Sequence, residues 1–91
     1  MATNAVIVNI DENRLIPALQ EAGERLEGGE KEMVVDFSSV RRIDASALRA
    51  LENLAGTADA KGVKIVLRDV NVDVYRVLKL VKLTHRFSFV N

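Results

Sequence analysis

The sequence predicts a single α/β domain with a four-stranded, mostly parallel sheet and three helices in the order βαβαβαβ. Short apolar runs of strand length alternate along the chain with longer segments whose apolar residues recur at helical spacing. A chain of 91 residues, 48% of them hydrophobic, can bury one core but not two, so residues 1–91 are expected to form one domain. Strands joined by helices of this length pair in parallel through right-handed crossovers.

The N-terminal part contains the first predicted strand and the first predicted helix. Residues 5–10 are apolar on both faces apart from Asn9, which is typical of a strand covered on both sides or near the middle of a sheet. Pro17 suits the first turn of the following helix, because its missing N–H costs nothing there, and Gly28-Gly29 is expected to end that helix. The apolar residues of this helix are Leu15, Ala18, Leu19, Ala22 and Leu26.

The middle of the chain contains the second strand and the second helix. Residues 33–37 form the predicted strand, and a loop containing Asp44 leads to a helix that begins near Ser46. Gly62 is expected to end the helix. Its predicted buried stripe consists of Leu48, Leu51, Leu54, Ala55 and Ala58.

The C-terminal part contains a strand at residues 63–67, a third helix and a last short strand at residues 87–90. Asn71 or Asp69 is the expected N-cap of the helix, which is marked by Val70, Val74, Val77, Leu78 and Val81. More of its surface is apolar than one buried stripe requires. Because lysines interrupt this surface, we interpret the following residues as core and not as a partner-binding patch: Leu78, Leu80, Val81 and Leu83.

The composition argues against several classes of function. Thirteen basic and thirteen acidic residues cancel, so no net charge attracts nucleic acid or an anionic membrane over a distance. The absence of cysteine excludes disulfides, thiolate zinc sites and a cysteine nucleophile, and fits a cytoplasmic protein. Apolar runs are too short for a signal peptide core or a membrane span. We therefore expect no nucleic-acid partner, no membrane insertion and no cofactor.

Ser46 occupies the position with the most functional information. It follows a strand and a loop and lies at the N-terminal end of a predicted helix, where backbone N–H groups point outward and the helix dipole is positive. A hydroxyl in this position can cap the helix, bind an anion or accept a phosphate. The ordinary role of such a serine is that of a cap or a first-turn residue.

The segment DFSSVRRIDASAL, which spans residues 36–48, resembles the signature motif of the STAS family, the fold of anti-sigma-factor antagonists. The likeness extends over residues 33–90. In phosphorylatable members of that family, a partner anti-sigma factor with serine kinase activity modifies the serine at this position, and the unmodified antagonist binds that partner. The motif matches in register at Asp36, Phe37, Ser38, Val40, Ile43, Asp44, Ser46 and Leu48.

The resemblance implies that Ser46 is the phosphoacceptor and the centre of a partner-binding face. Arg49 lies one turn further along the helix and is placed to pair with a phosphate. The sequence leaves the oligomeric state open, including a homo-oligomer. Ala45, Ala47 and Arg49 depart from the family motif, which has a serine, a glycine and a small residue there. The other residues expected on the face are Asp36, Arg41, Arg42, Asp44 and Asn53.

Two alternative functions stay open. Small STAS proteins also serve as accessory subunits that bind the ATPase of bacterial lipid-transport ABC systems, and their third helix is similar to this chain at Val70, Asn71, Val74, Tyr75, Lys79 and Leu80. A small metal-dependent enzyme would use the carboxylates of Asp36 and Asp44. Since turn-forming and helix-starting aspartates explain both residues, and the single histidine His85 has no evident partner, we expect no catalytic residue and no metal site.

Overall fold

The computed structural model describes residues 5–26 and 31–90. The strands are β1 (Ala5–Asn9), β2 (Glu32–Asp36), β3 (Lys64–Arg68) and β4 (Ser88–Val90). They alternate with the helices α1 (Leu15–Glu24), α2 (Ala45–Lys61) and α3 (Val72–Leu80). Short 3-10 helices at Glu12–Arg14 and Thr84–Arg86 precede α1 and β4. The predicted α/β order is confirmed, and most boundaries shift by one or two residues.

The four strands form one parallel sheet in the order β1-β2-β3-β4. Each strand therefore lies beside the next one along the chain, joined to it by a helix. Right-handed crossovers between strands in this consecutive order place all the connecting helices on the same face of the sheet. The buried side chains agree, since α1, α2 and α3 all contribute to one core cluster with alternate residues of the strands.

The hydrophobic core lies between the three helices and this one face of the sheet. Its centre is tightly closed, because Met33 and Val35 of β2, Leu51 of α2 and Leu78 of α3 are all 0% exposed. Burial of each such side chain stabilises the fold by about 1.5 to 3 kcal/mol. The other strand and helix residues of the cluster include Val8, Leu19, Ala22, Leu54, Ala55, Ala58, Ile65, Leu67 and Val74.

The opposite face of the sheet carries the other alternate residues, among them Ile7, Val34 and Val66, which are paired in register. Val66, towards the middle of the sheet, is buried, whereas Ile7 at the edge is 54% exposed. The interpretation of residues 5–10 as a central or doubly covered strand is therefore wrong. β1 is an edge strand, and its two-sided apolar pattern does not reflect two-sided burial.

Helix α1 follows a short 3-10 helix that the sequence did not predict. The Asp11 carboxylate accepts a hydrogen bond from the Asn13 backbone N–H at 2.9 Å and so caps this turn. Pro17 lies in the first turn of α1, as predicted. The helix ends at Glu24, and Gly28-Gly29, its predicted end, lies outside the described residues.

The ends of α2 and α3 are fixed by side-chain caps and one glycine. Asp44 accepts a hydrogen bond from the Ala47 N–H at 2.8 Å at the start of α2. Asn71 accepts one from the Val74 N–H at 2.8 Å at the start of α3. Gly62 ends α2 with a left-handed φ of 69°, which favours glycine. The predicted roles of Gly62 and Asn71 are confirmed.

The apolar residues at the end of α3 do not all enter the core. Leu78 and Leu83 are buried, but Leu80 is 81% exposed and Val81 is 45% exposed, so the core interpretation is wrong for these two residues. Leu80 is two positions, or about 200° of helical rotation, from Leu78 and therefore points away from the sheet. Among the described residues, no helix is both long enough and apolar enough to cross a membrane.

Candidate functional site

Ser46 is exposed in the first turn of α2. The helix is capped by Asp44, so of the two ordinary roles expected for this serine, the first-turn position is confirmed and the cap belongs to Asp44. The Ser46 hydroxyl makes no hydrogen bond to any of the described residues. A free hydroxyl is thereby presented to solvent at the positive end of a helix of 17 residues.

A groove of about 500 Å³ between α1 and α2 begins at Ser46. Arg49 and Asn53 follow Ser46 along the same side of α2 and line the groove with it. Gln20 and Glu24 line it from α1. The structure therefore brings together three of the residues expected on the partner-binding face. It adds residues of α1, Gln20 and Glu24 among them, that the sequence did not indicate, because the pairing of two helices has no local signal.

A second depression of about 470 Å³ lies beside this groove. Arg42 and Asp44 line it, together with Pro17 from the first turn of α1. Ile16 lines both the groove and this depression, so the two are adjacent. Two more of the expected face residues thus lie next to the Ser46 groove, and both are exposed.

The loop between β2 and α2, residues 37–44, is held by side chains from two distant segments. The backbone N–H of Arg41 donates a hydrogen bond to Glu12 Oε2 at 2.6 Å. Asn71 Nδ2 donates to the carbonyl oxygens of Val40 at 3.1 Å and Arg41 at 3.2 Å. The sequence predicted Asn71 as a cap and gave Glu12 no role. No sequence pattern indicated that both would contact the loop that carries Arg41.

Asp36 forms a salt bridge with Arg68 and does not line the groove. Its Oδ2 lies 2.7 Å from Arg68 Nη2 and accepts a second bond from Arg68 Nε at 3.2 Å, while Oδ1 accepts the Ser38 N–H at 2.8 Å. Hydrogen bonds from Ser38, and then from Arg68, lower the pKa of Asp36 from 3.8 to about 2. The carboxylate is ionised at neutral pH and lines neither depression. Its place at the end of a strand agrees with the turn-forming role.

The two carboxylates considered for a metal-dependent enzyme have separate partners. Asp36 bonds to Arg68, and Asp44 caps α2. Within residues 5–26 and 31–90, no group of three or more His, Cys, Asp or Glu side chains is placed to hold a metal ion. His85 lies exposed in a 3-10 helix. No observation on the described residues favours the enzyme hypothesis, and the expectation that the chain is not an enzyme stays a prediction.

Comparison with known proteins gives one family match and several similar structures. Residues 10–90 match the family model described as "Mlab, STAS domain". A Thermotoga maritima protein assigned as an anti-sigma factor antagonist superposes with a TM-score of 0.79 at 20% identity, over 100% of this chain and 82% of that chain. A sulfate transporter family protein from Wolinella succinogenes gives a TM-score of 0.79 at 18% identity, over 98% of this chain and 80% of that chain.

A chain from the stressosome, a signal integration and transduction hub, is also similar. Its TM-score is 0.77 at 22% identity, over 99% of this chain and 84% of that chain. At these identities the structural likeness shows a shared fold. None of the curated protein sequences matches this chain.

Proposed function

We propose that this chain, which belongs to the STAS domain family, is a non-enzymatic regulator that acts by binding another protein. The proposal rests on the surface around the start of α2. There the groove and the adjacent depression gather Ser46, Arg49, Asn53, Arg42 and Asp44 on one exposed face. Similar structures that include an anti-sigma factor antagonist and a stressosome chain support a role in protein binding.

The partner that this face fits best is an anti-sigma factor with serine kinase activity. The observation that carries this proposal is the exposed Ser46 hydroxyl at the positive end of α2, beside Arg49 in the groove. A phosphate on Ser46 would add a charge of about −1.5 to −2 next to the helix dipole and a guanidinium group. Since Ser46 makes no bond within the described chain, this modification would leave the fold intact and change only the surface that the partner contacts.

Binding to the ATPase of a lipid-transport ABC system is the second candidate function. The observation in its favour is an apolar depression of about 260 Å³ between α3 and β4, separate from the Ser46 groove. Val72 and Tyr75, which line it, are 67% and 40% exposed. Tyr75 packs edge-on against Phe89 of β4 with ring centroids 5.1 Å apart. This is the segment that resembles the transporter-associated members of the family.

Identification of the native partner tests both candidates. The tagged protein would be purified from its own cells, and the bound protein would be identified by mass spectrometry. A serine kinase of the anti-sigma type supports the first function, and an ABC ATPase supports the second. Recovery of neither type of protein, with partner binding that does not depend on the Ser46 face, would contradict the proposal.

The proposal that phosphorylation of Ser46 controls partner binding is tested separately with charged variants. Ser46→Asp is expected to weaken binding of the recovered partner at least tenfold by calorimetry, because it places a negative charge on the binding face. Ala60→Asp is the matched control, since Ala60 is exposed in the last turn of α2, at the other end of the helix from Ser46, and lines neither depression. If Ser46→Asp binds the partner as tightly as the wild type does, Ser46 is not the switch.

A further inference from the structure

We propose that Glu12 and Asn71 are positioning residues that hold the β2–α2 loop in the conformation that the partner recognises. This inference rests on the proposed function, because the loop carries Arg41 and Arg42 and leads to Asp44 and the Ser46 face. Neither Glu12 nor Asn71 lines the groove or the adjacent depression. They act on the binding face through the backbone of the loop.

The loop depends on these two side chains because its own backbone contacts are few. Within the loop, the Val40 N–H donates to the Phe37 carbonyl oxygen at 2.9 Å. Residues 40–44 belong to no helix or strand. The next backbone N–H, that of Arg41, donates to the Glu12 carboxylate at 2.6 Å. A hydrogen bond to a charged acceptor is about twice as strong as one between neutral groups. Glu12 thus fixes the middle of the loop from the N-terminal side of the fold.

Asn71, at the start of α3, holds the same part of the loop as Glu12 does. Its Oδ1 accepts the Val74 N–H and caps α3, while its Nδ2 donates to the carbonyl oxygens of Val40 and Arg41. An asparagine amide has one acceptor oxygen and two N–H donors, so a single side chain satisfies all three bonds. Aspartate retains the acceptor but has no donor. The chemistry of this position therefore requires asparagine for the loop, although aspartate suffices for the cap.

Glu12 and Asn71, which together form a clamp on the loop, both bind the backbone of Arg41. The Arg41 N–H donates to Glu12, and the Arg41 carbonyl oxygen accepts from Asn71. Arg41 and Arg42 are exposed, so their guanidinium groups extend from a backbone that is already fixed. A preorganised loop spares the partner the entropic cost of ordering it on binding. Loss of either half of the clamp is thus expected to weaken binding while the core stays intact.

The test separates the clamp from the cap with Asn71→Asp and Asn71→Ala. Hydrogen exchange of backbone amides, measured by NMR under conditions where the protein is folded, reports the Val74 bond directly and the loop bonds through the protection of the neighbouring loop amides. Asn71→Asp is expected to raise exchange of the hydrogen-bonded loop amides of Val40 and Arg41 about tenfold, the effect of losing roughly one net hydrogen bond, with the Val74 amide unchanged. Asn71→Ala should raise exchange at both the loop and Val74.

Glu12 supplies a second, independent pair of variants. Glu12→Ala is expected to raise exchange of the Arg41 amide about tenfold, whereas Glu12→Gln, which keeps an acceptor oxygen, should raise it less than threefold. Loop exchange within twofold of wild type in both Asn71→Asp and Glu12→Ala would overturn the clamp. These measurements need no partner, so they test the loop contacts even if the Ser46 test contradicts the proposed function.

Binding completes the experiment. With the partner recovered by the wild-type protein, Asn71→Asp is expected to weaken affinity at least fivefold at a temperature where both proteins are fully folded, mainly through slower association. A purely structural role would lower the unfolding temperature and leave the affinity of the folded protein unchanged. Mobile loop amides together with wild-type affinity would therefore overturn the positioning role.

Discussion

Asp36→Asn is expected to remove part of the dependence of stability on pH. Asp36 joins the end of β2 to Arg68 on β3, and its pKa is lowered to about 2 from 3.8. Because the folded state holds the carboxylate as the ion more strongly than the unfolded chain does, the unfolded chain binds more protons as the pH falls through 4. Stability from Asp36 is therefore fully present above about pH 5 and is lost between about pH 4 and pH 2.

The size of the effect follows from the two pKa values and from the exposure of the pair. A difference from 3.8 to about 2 corresponds to about 2 kcal/mol at neutral pH. The Arg68 side chain is 35% exposed, so water screens the pair and about 1 to 2 kcal/mol is the expected contribution. Asparagine keeps an oxygen that accepts the Ser38 N–H, so the turn persists while the charge is lost.

Urea unfolding of the wild type and Asp36→Asn at several pH values between 7 and 2 provides the assay. The gap in unfolding free energy should be about 1 to 2 kcal/mol at pH 7 and should close towards pH 2. Asp59→Asn is the matched control, since Asp59 pairs with Arg86 at 2.8 Å but its side chain is 66% exposed, and its gap should stay below about 0.5 kcal/mol. A gap for Asp36→Asn that is the same at pH 7 and pH 2 would refute the reasoning.

Two further predictions concern the core and the end of α2. Leu51→Ala, at a residue 0% exposed, should lower the unfolding free energy by about 3 kcal/mol in urea titrations, whereas Leu80→Ala, at a residue 81% exposed, should change it by less than about 0.5 kcal/mol. Equal costs for the two would contradict the assigned core. Gly62→Ala, at φ 69°, should cost about 1 kcal/mol, while Gly56→Ala, with nothing within 4 Å of the added methyl group, should gain up to about 1 kcal/mol; a stabilising Gly62→Ala would exclude the left-handed cap.

Local sequence patterns were sufficient for the elements of the fold. Apolar periodicity located the strands and helices, and Gly62 and Asn71 marked two helix ends, because caps and helix ends depend on residues close in sequence. The same regularity placed Ser46, Arg49 and Asn53 along one side of α2, and the structure finds all three in one groove. Helical geometry alone determines that arrangement.

The sheet order was beyond the reach of periodicity. An apolar strand has the same sequence pattern at the edge of a sheet as in its centre. The pattern around Ile7 therefore did not indicate that this residue would be 54% exposed. The apolar character of Leu80 likewise suggested core, although α3 offers only one face to the sheet. Exposure at both positions depends on which elements pack together, and that is a property of the whole fold.

The sequence by itself determined an α/β domain of the STAS family and a serine at the start of its second helix, since both depend on residues close together along the chain. Only the tertiary structure paired Asp36 with Arg68, which is 32 residues away, and bound Arg41 to Glu12 and Asn71, 29 and 30 residues away. Hydrogen bonds over such separations leave no periodic trace in the sequence. They form only where parallel strands and consecutive crossovers bring the ends of distant elements together.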